Sequence, residues 1–585
     1  MPMQISISNA IGGGGGNTGS PSGPTFDGFI MELTVTGSDA FLLRGRNTLT
    51  YNAQVDWGDG TVDTVTTWNG GSHVYASTGT YQVKISGTFP AFNYATIAGA
   101  WKDYLTRIVQ WGNIEWKSFF GAFGGFPNLT SLPSDYPDIT GLTDRRPSQM
   151  FFQCFALTEC DLSNWQNTGN FTGDSSNMLN GLTKATNINL TGWDTSGFTN
   201  AQGFMTECGR LTGGCTVTAP NLDWSSTATM KEMFFRSCLL PATDLSNWTL
   251  RTAGVTLEDF FQQAGFLSTP IFNGISTPDL STWNNTSGIR NIKEFAFNAF
   301  ALKSVNLTGW DTSNVTNMAF AFSQAQYLEE IAGLSTIDVS SVTSATQMFY
   351  DTQRLHFTNH NFGTSWNNWA AMTGSFTRFF FRNGYSLTAA TAGPTPTIAD
   401  WSMPTAVGQC QFLFSESRYV DGSTLTVNWN HPNCTALNAA FYLMQGVSTL
   451  NFNMRTTPAL TNMQSFARRA DNLDSITFGS NMDFRGVTNM QEAFFNIKIG
   501  TFNLVFDSAA NFQSITNLVN FTGTASRVIA TSDYDALLVR FEATNSNTVT
   551  LGAGGSQYTA GSAAEIARAA LIADHSWTIT DGGAV

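Results

Sequence analysis

Residues 291–328 read NIKEFAFNAFALKSVNLTGWDTSNVTNMAFAFSQAQYL, a stretch that states one structural unit, closes it and starts the next. Within it Met318, Ala321, Phe322, Ala325 and Leu328 fall at i, i+3, i+4, i+7 and i+10, the spacing of one apolar face on a short helix. Thr316 or Asn317 stands where that helix needs a cap. Upstream, Val305 and Leu307 alternate with polar neighbours as in a short half-buried strand, and Asp311 to Asn314 carry turn chemistry. Each unit is therefore expected to be a short strand, a turn and a short helix.

The same pattern, an apolar residue with a small residue four places on and an aliphatic one seven places on, recurs about fifteen times. It runs from Ala122 through Met150, Phe204, Phe260, Ala321, Phe380 and Ala440 to Phe521, at intervals of 23 to 35 residues. A repeat of that length means a solenoid. One unit cannot bury its apolar face alone, so the units stack, the core becomes a ribbon, and function falls to surfaces, loops or ends.

The phrases LSNW at 162–165, LTGWDTSGFTN at 190–200 and LTGWDTSNVTNM at 307–318 resemble the repeat of BspA-like leucine-rich repeat surface proteins. The resemblance implies an α/β solenoid of leucine-rich-like repeats over 118–528, on a protein displayed at a surface. Before it, Phe29, Met31, Leu33 and Val35 alternate with other residues as in a strand. VDWGDGT at 55–61 and HVYASTGTYQVKISG at 73–87 resemble the polycystic kidney disease (PKD) type immunoglobulin-like domain, which implies a small β-sandwich over 26–90 serving as spacer or binding module. Asp56 and Asp59 could touch a cation, but glycine-rich turn geometry explains them better. Residues 91–117 form a junction in which Trp101, Trp111 and Trp116 seal the first repeat.

A C-terminal α/β cap is expected over 529–585. Ser532 or Asp533 would start a helix burying Tyr534, Leu537, Leu538 and Phe541. Ser562 and Glu565 form a capping box ahead of Ile566, Ala569, Ala570 and Ala573. The phrase WTITDGG near the end resembles the closing segment of phage-encoded proteins of this repeat family.

Charge is sparse. Asp, Glu, Lys and Arg make up 12% of the chain, about half the usual share of roughly 25%. Asn, Thr, Ser, Gly and aromatics fill the space, which suits an extracellular or virion surface. With 42 acidic against 28 basic residues the net charge is −14, and no basic run appears, so nucleic acid is not an expected partner. No apolar run is long enough to cross a bilayer. The first residues, MPMQISISNAIGGGGG, lack the basic and apolar regions of a secretory signal, so a phage virion component is the expected setting. Residues 1–25 are a Gly-rich tether, expected to anchor on another virion protein.

Catalytic and metal signals are few. Of five histidines, only His356 and His360 are spaced i, i+4, and they lack the helix and further ligand of a zinc motif. Seven cysteines include Cys154 and Cys208 at the small-residue slot, read as packed thiols. Cys208 and Cys215 are close enough for a local disulfide, but no C-x-x-C pair occurs. No cofactor is expected. A glycan depolymerase would need two facing carboxylates, and Glu329, Glu330 and Asp338 are available.

The candidate binding residues are Trp165, Trp193, Trp248, Trp283 and Trp310, which end the strand segment in successive or nearby repeats and would stack in a file. Exposed, the file is a sugar-stacking or protein-docking platform; buried, it is core. The expected function is non-enzymatic: a phage tail fibre or other appendage that recognises a host-surface glycan or protein receptor, with homo-oligomerisation open. A bacterial cell-surface adhesin is the alternative and a virion depolymerase the second alternative.

Overall fold

The computed structural model describes residues 26–94, 97–266, 274–355, 362, 364–387, 392, 395, 398–402 and 408–585, and its repeats stack as a β-solenoid of about 14 turns. Successive turns pair in parallel through strands only two or three residues long over much of the stack. Glu159–Asp161, Asn187–Asn189 and Thr216–Thr218 lie side by side, with Cys160, Ile188 and Val217 in register and buried. Towards the C-terminus the strands lengthen, and Arg418–Asn430, Gln445–Arg455, Ser475–Phe478 and Gly500–Phe506 form one parallel sheet.

Among the described residues the short helix expected in each repeat is absent, which corrects the α/β reading of the unit. Among the described residues, α-helix occurs only at α1 (Thr531–Thr544) and α2 (Ala563–His575). Between Met318 and Leu328 the backbone donors alternate in direction. Ala321, Ser323 and Ala325 donate three residues back, to the carbonyls of Met318, Phe320 and Phe322. Met318, Phe320, Phe322 and Gln324 donate instead to Ser344, Thr346, Met348 and Tyr350 of the next turn. An α-helix would direct all of these donors internally.

Two left-handed residues per turn, four apart, permit the alternation: Glu294 and Asn298 (φ 55° each), Phe320 and Gln324 (57° and 58°), Gln347 and Asp351 (54° and 56°). Each costs about 1–2 kcal/mol in a residue with a side chain. The cost is offset where the same segment buries Met318, Phe322, Ala325 and Leu328, since a fully buried large apolar side chain contributes about 1.5–3 kcal/mol. Asn317 does cap, its Oδ1 accepting the Ala319 N–H at 3.0 Å, but it opens a run of turns.

The core is a ladder of rings at the spacing of the turns. Phe322, Phe349, Phe380, Phe414 and Phe441 stack in succession, with centroids 5.9, 5.7, 4.8 and 5.5 Å apart and planes within 11° of parallel. Offset stacks of this kind add about 0.5–1.5 kcal/mol per pair to the burial of the rings.

At the N-terminal end, Val62–Val65, Asn52–Asp56, Gly79–Thr88, Phe29–Val35 and Leu105–Gln110 form an antiparallel sheet in that order, with Phe41–Leu43 and Gly71–His73 paired beside it. Phe29, Met31, Leu33 and Val35 point into its core. The fifth strand comes from the segment expected to be only a junction. It continues into the solenoid, because Ile108 donates to the Ser131 carbonyl of the first turn at 3.2 Å. Trp111 and Trp116 are fully buried there, and Trp111 meets Trp165 edge-on at 5.4 Å. Asp56 accepts the Gly58 N–H, and Asp59 accepts both the N–H and the hydroxyl of Thr61 through one oxygen and meets His73 at 2.8 Å through the other, so both carboxylates are engaged within the protein. A Cβ at Gly58, where φ is 82°, would lie 2.6 Å from the Gln82 carbonyl oxygen.

At the other end Asn517–Leu518, Thr550–Gly552 and Thr578–Thr580 prolong the parallel stacking. α1 buries Tyr534, Leu537, Leu538 and Phe541 as its spacing predicts. Ser562 caps α2 as expected, but the reciprocal box is shifted: Ser562 accepts from Ala564 rather than Glu565, and Glu565 accepts the Gly561 N–H rather than that of Ser562. Its buried face, however, is Ala564, Ala567 and Leu571, with Ile566 72% exposed. An alanine-rich helix offers apolar methyls on every side, so periodicity alone placed the face one residue out. Arg568, on the inner side, fixes the rotation by pairing with Asp581 at 2.8 Å.

The turn geometry makes a distinguishing prediction at Gln324. In a helix, Gln324→Gly would cost about 1 kcal/mol and Gln324→Val less. In the left-handed turn the order reverses: Gly is near neutral, and Val costs about 1–2 kcal/mol or more in chemical denaturation.

Candidate functional site

The tryptophan file is interior. Trp165, Trp193, Trp248, Trp283 and Trp310 are between 0% and 6% exposed. The indole N–H groups of Trp193, Trp248, Trp283 and Trp310 donate to the carbonyls of Leu162, Ala219, Leu245 and Leu280 in the preceding turn, at 2.6–2.9 Å. Trp248, Trp283 and Trp310 stack in sequence at 5.0 and 5.6 Å, whereas Trp193 stacks on Phe171 instead. No ring face is left for a ligand. The five residues hold adjacent turns in register, and of the two readings open to them the geometry matches core.

The side chains that reach solvent in register lie on the turn segment. The residue three places after the first left-handed position of each turn forms a column, set by the cross-turn hydrogen bonds. Phe235, Phe297, Tyr350, Phe381, Tyr442 and Phe495 occupy it, each half-buried, as are Gln262 and Arg468, whereas Ser323 and Ser415 at the remaining turns are buried. Tyr350 and Phe381 stack at 5.2 Å. Arginines lie over these rings: Arg236 over Phe235 at 4.9 Å, Arg378 between Phe381 and Phe412 at 5.6 and 5.3 Å, and Arg468 between Tyr442 and Phe495 at 5.9 and 5.4 Å. Phe412, Tyr442, Gln464, Ser465 and Arg468 line a shallow cleft of about 280 Å³ on this face.

Charge on the same face is paired across turns. Lys231 lies 3.2 Å from Asp259 and 3.4 Å from Glu258, and Lys293 lies 3.4 Å from Glu258 and 3.0 Å from Glu294. Gln262 donates to both Asp259 and Glu294. Further along, Arg382 joins Asp351 to Glu416 and Arg468 meets Glu492. Burial, reinforced by the Glu294 and Glu258 charges, raises Asp259 to about 6 despite Lys231. A buried carboxyl raised in this way is the most unusual acid on this face.

A second cleft, of about 400 Å³, is lined by residues including Glu159, Asp161 and Asn164. Both of its carboxylates are engaged, Asp161 by the backbone and hydroxyl of Ser163 and Glu159 by Thr186. Of the acids named for depolymerase chemistry, Asp338 closes a turn onto the Ser340 N–H and Glu329 lies 3.8 Å from Lys303. Glu330 lies in a strand paired with Ser304–Asn306. All seven cysteines are free and buried; Cys208 and Cys215 do not pair but meet the carbonyls of Leu179 and Thr216. His356 and His360 fall outside the described residues, as does the 1–25 arm.

The aromatic column was visible in sequence as doublets and triplets such as Phe234-Phe235, Phe349-Tyr350, Phe379-Phe380-Phe381, Phe441-Tyr442 and Phe494-Phe495. One ring of each doublet, and both Phe379 and Phe380 of the triplet, fill the core. The remaining ring, unable to point the same way, is left outside.

Residues 145–273 and 269–384, under half of the chain, match the family model described as Mycoplasma protein of unknown function, DUF285. No curated protein and no solved structure matches the chain.

Because the folded state holds the Asp259 proton more tightly than the unfolded chain, this group's contribution to stability is lost as pH rises from about 4 through about 6. Asp259→Asn keeps an oxygen for Gln262 and tolerates the left-handed backbone. It is expected to raise the melting temperature at pH 7, with the difference closing below pH 4.

Proposed function

We propose that this chain is a non-enzymatic binding protein that engages a host-surface glycan or protein receptor along its turn face. The observation that carries the proposal is the column of half-exposed rings with arginines over them. Aromatic and arginine side chains dominate the energetics of protein interfaces. Turns stack about 4.8 Å apart, so an extended ligand crossing them meets a ring at every one or two turns, about 5–10 Å apart.

Display on a virion, as a tail fibre or other phage appendage, is the setting we favour, with a bacterial cell-surface adhesin as the alternative. The resemblance of the LTGWDTS phrases to BspA-like surface repeats, that of WTITDGG to phage-encoded members, and the charge-poor composition support it. In that setting the antiparallel sheet between Phe29 and Gln110 acts as a PKD-type spacer, and residues 1–25 dock on another virion protein. A glycan depolymerase is a second reading, favoured by Asp259 with its raised pKa beside Glu258 and Glu294.

Two measurements test these proposals. Mass spectrometry and immunogold labelling of purified virions should find the protein stoichiometrically on tails or capsid fibres; finding it only in the bacterial envelope contradicts the virion setting. Binding of the full chain to host cells should fall roughly 30-fold in Tyr442→Ala or Arg468→Ala, the effect of losing a hot spot of about 2 kcal/mol. Unchanged binding in both contradicts the turn face, and release of reducing ends from host polysaccharide, abolished by Asp259→Asn, favours the depolymerase.

A further inference from the structure

Three neighbouring core positions depart together from what other turns place there. His431-Pro432-Asn433-Cys434 is a tight turn, closed by the Cys434 N–H onto the His431 carbonyl at 3.2 Å. Its counterparts in the next three turns, closed the same way, are Thr457 to Leu460, Phe484 to Val487 and Phe512 to Ile515. Histidine thus stands where threonine or phenylalanine serves elsewhere, and cysteine where leucine, valine or isoleucine does. Cys410, one turn earlier, donates to the Ala436 carbonyl in the cross-turn position that Leu437, Met463 and Met490 hold afterwards.

All three side chains are fully buried, and one donor atom from each, two sulfurs and an imidazole nitrogen, lies within 4.8 Å of the others. Neither ring nitrogen of His431 has a hydrogen-bond partner. A buried polar group left unpaired costs about 1–3 kcal/mol, a cost that Phe484 and Phe512 avoid at the same position. Substituting one core residue by a histidine is unfavourable; placing two thiols beside it is the donor set of a metal site.

We propose that Cys410, His431 and Cys434 bind a soft, thiophilic cation, Zn²⁺ or Cu(I). Two thiolates and an imidazole are the ligands both ions favour. Zinc bonds of about 2.0–2.3 Å place tetrahedral donors about 3.5 Å apart, so the cluster needs only a small contraction. Three protein donors suit trigonal Cu(I), or Zn²⁺ with one position left to a non-protein donor. Binding displaces the two thiol protons and occupies an imidazole lone pair. The ion would tie the turn that carries Cys410 to the next one, which carries His431 and Cys434.

The test uses the full chain, reduced under anaerobic conditions with a non-chelating phosphine, and loaded separately with Zn²⁺, Cu(I) or the spectroscopic probe Co²⁺. Native mass spectrometry should show one ion per chain, retained on gel filtration, and the Co²⁺ form should show a thiolate-to-metal charge-transfer band. His431→Phe, Cys410→Leu and Cys434→Leu adopt the residues of neighbouring turns, so they should fold, as judged by circular dichroism, yet lose both the ion and the band. Which of Zn²⁺ and Cu(I) survives competition with a chelator identifies the cation. The proposal is overturned if the wild-type chain retains neither ion, if the folded variants bind as well as it does, or if the protein as isolated is lighter by two hydrogens through a Cys410–Cys434 disulfide.

Discussion

The structure depends on where alternate backbone N–H groups of each turn point. When the amides of Met318, Phe320, Phe322 and Gln324 donate to the next turn, each repeat is welded to its neighbour through the main chain, whatever side chains it carries. Two left-handed residues in each turn, four apart, accompany that constraint and let one set of amides close the turn while the other reaches the next turn. Along the described turns these donors stay paired, as buried backbone requires.

From this follow both the regularity of the core and the freedom of the surface. Phe322, Phe349, Phe380, Phe414 and Phe441 stack because each is carried by the same turn position, and the tryptophans lock register by reaching one carbonyl back. Interactions run only between nearest neighbours, so stability grows lengthwise and one turn can change its outer residues without disturbing distant ones. The column running from Phe235 to Phe495 uses that freedom: rings share it with Gln262, Arg468 and the buried Ser323 and Ser415 while the backbone beneath them stays the same.

The period and the stacking were legible in the sequence because Phe, Met and Leu recur at fixed offsets. The helix was misread for a physical reason. Apolar residues at i, i+3, i+4 and i+7 describe a helix face, but a run of turns that closes three residues back and reverses hand every fourth residue buries the same positions. The polar residues at the left-handed sites, such as Gln149 and Gln153 or Glu232 and Arg236, look like the outer face of that helix. The tryptophans showed their regular spacing but not their surroundings, which depend on the turn before. Cys410 and His431 are separated by nearly a full repeat, so no linear motif joins them.

Far-UV circular dichroism of the full chain tests the central claim, that the turns join through cross-turn hydrogen bonds without repeat helices. The account predicts a spectrum dominated by β and turn structure, with helix no greater than the 14 residues of α1 and 13 of α2 supply. A helical signal several times larger would mean that the repeats hold their donors within themselves, and would contradict it.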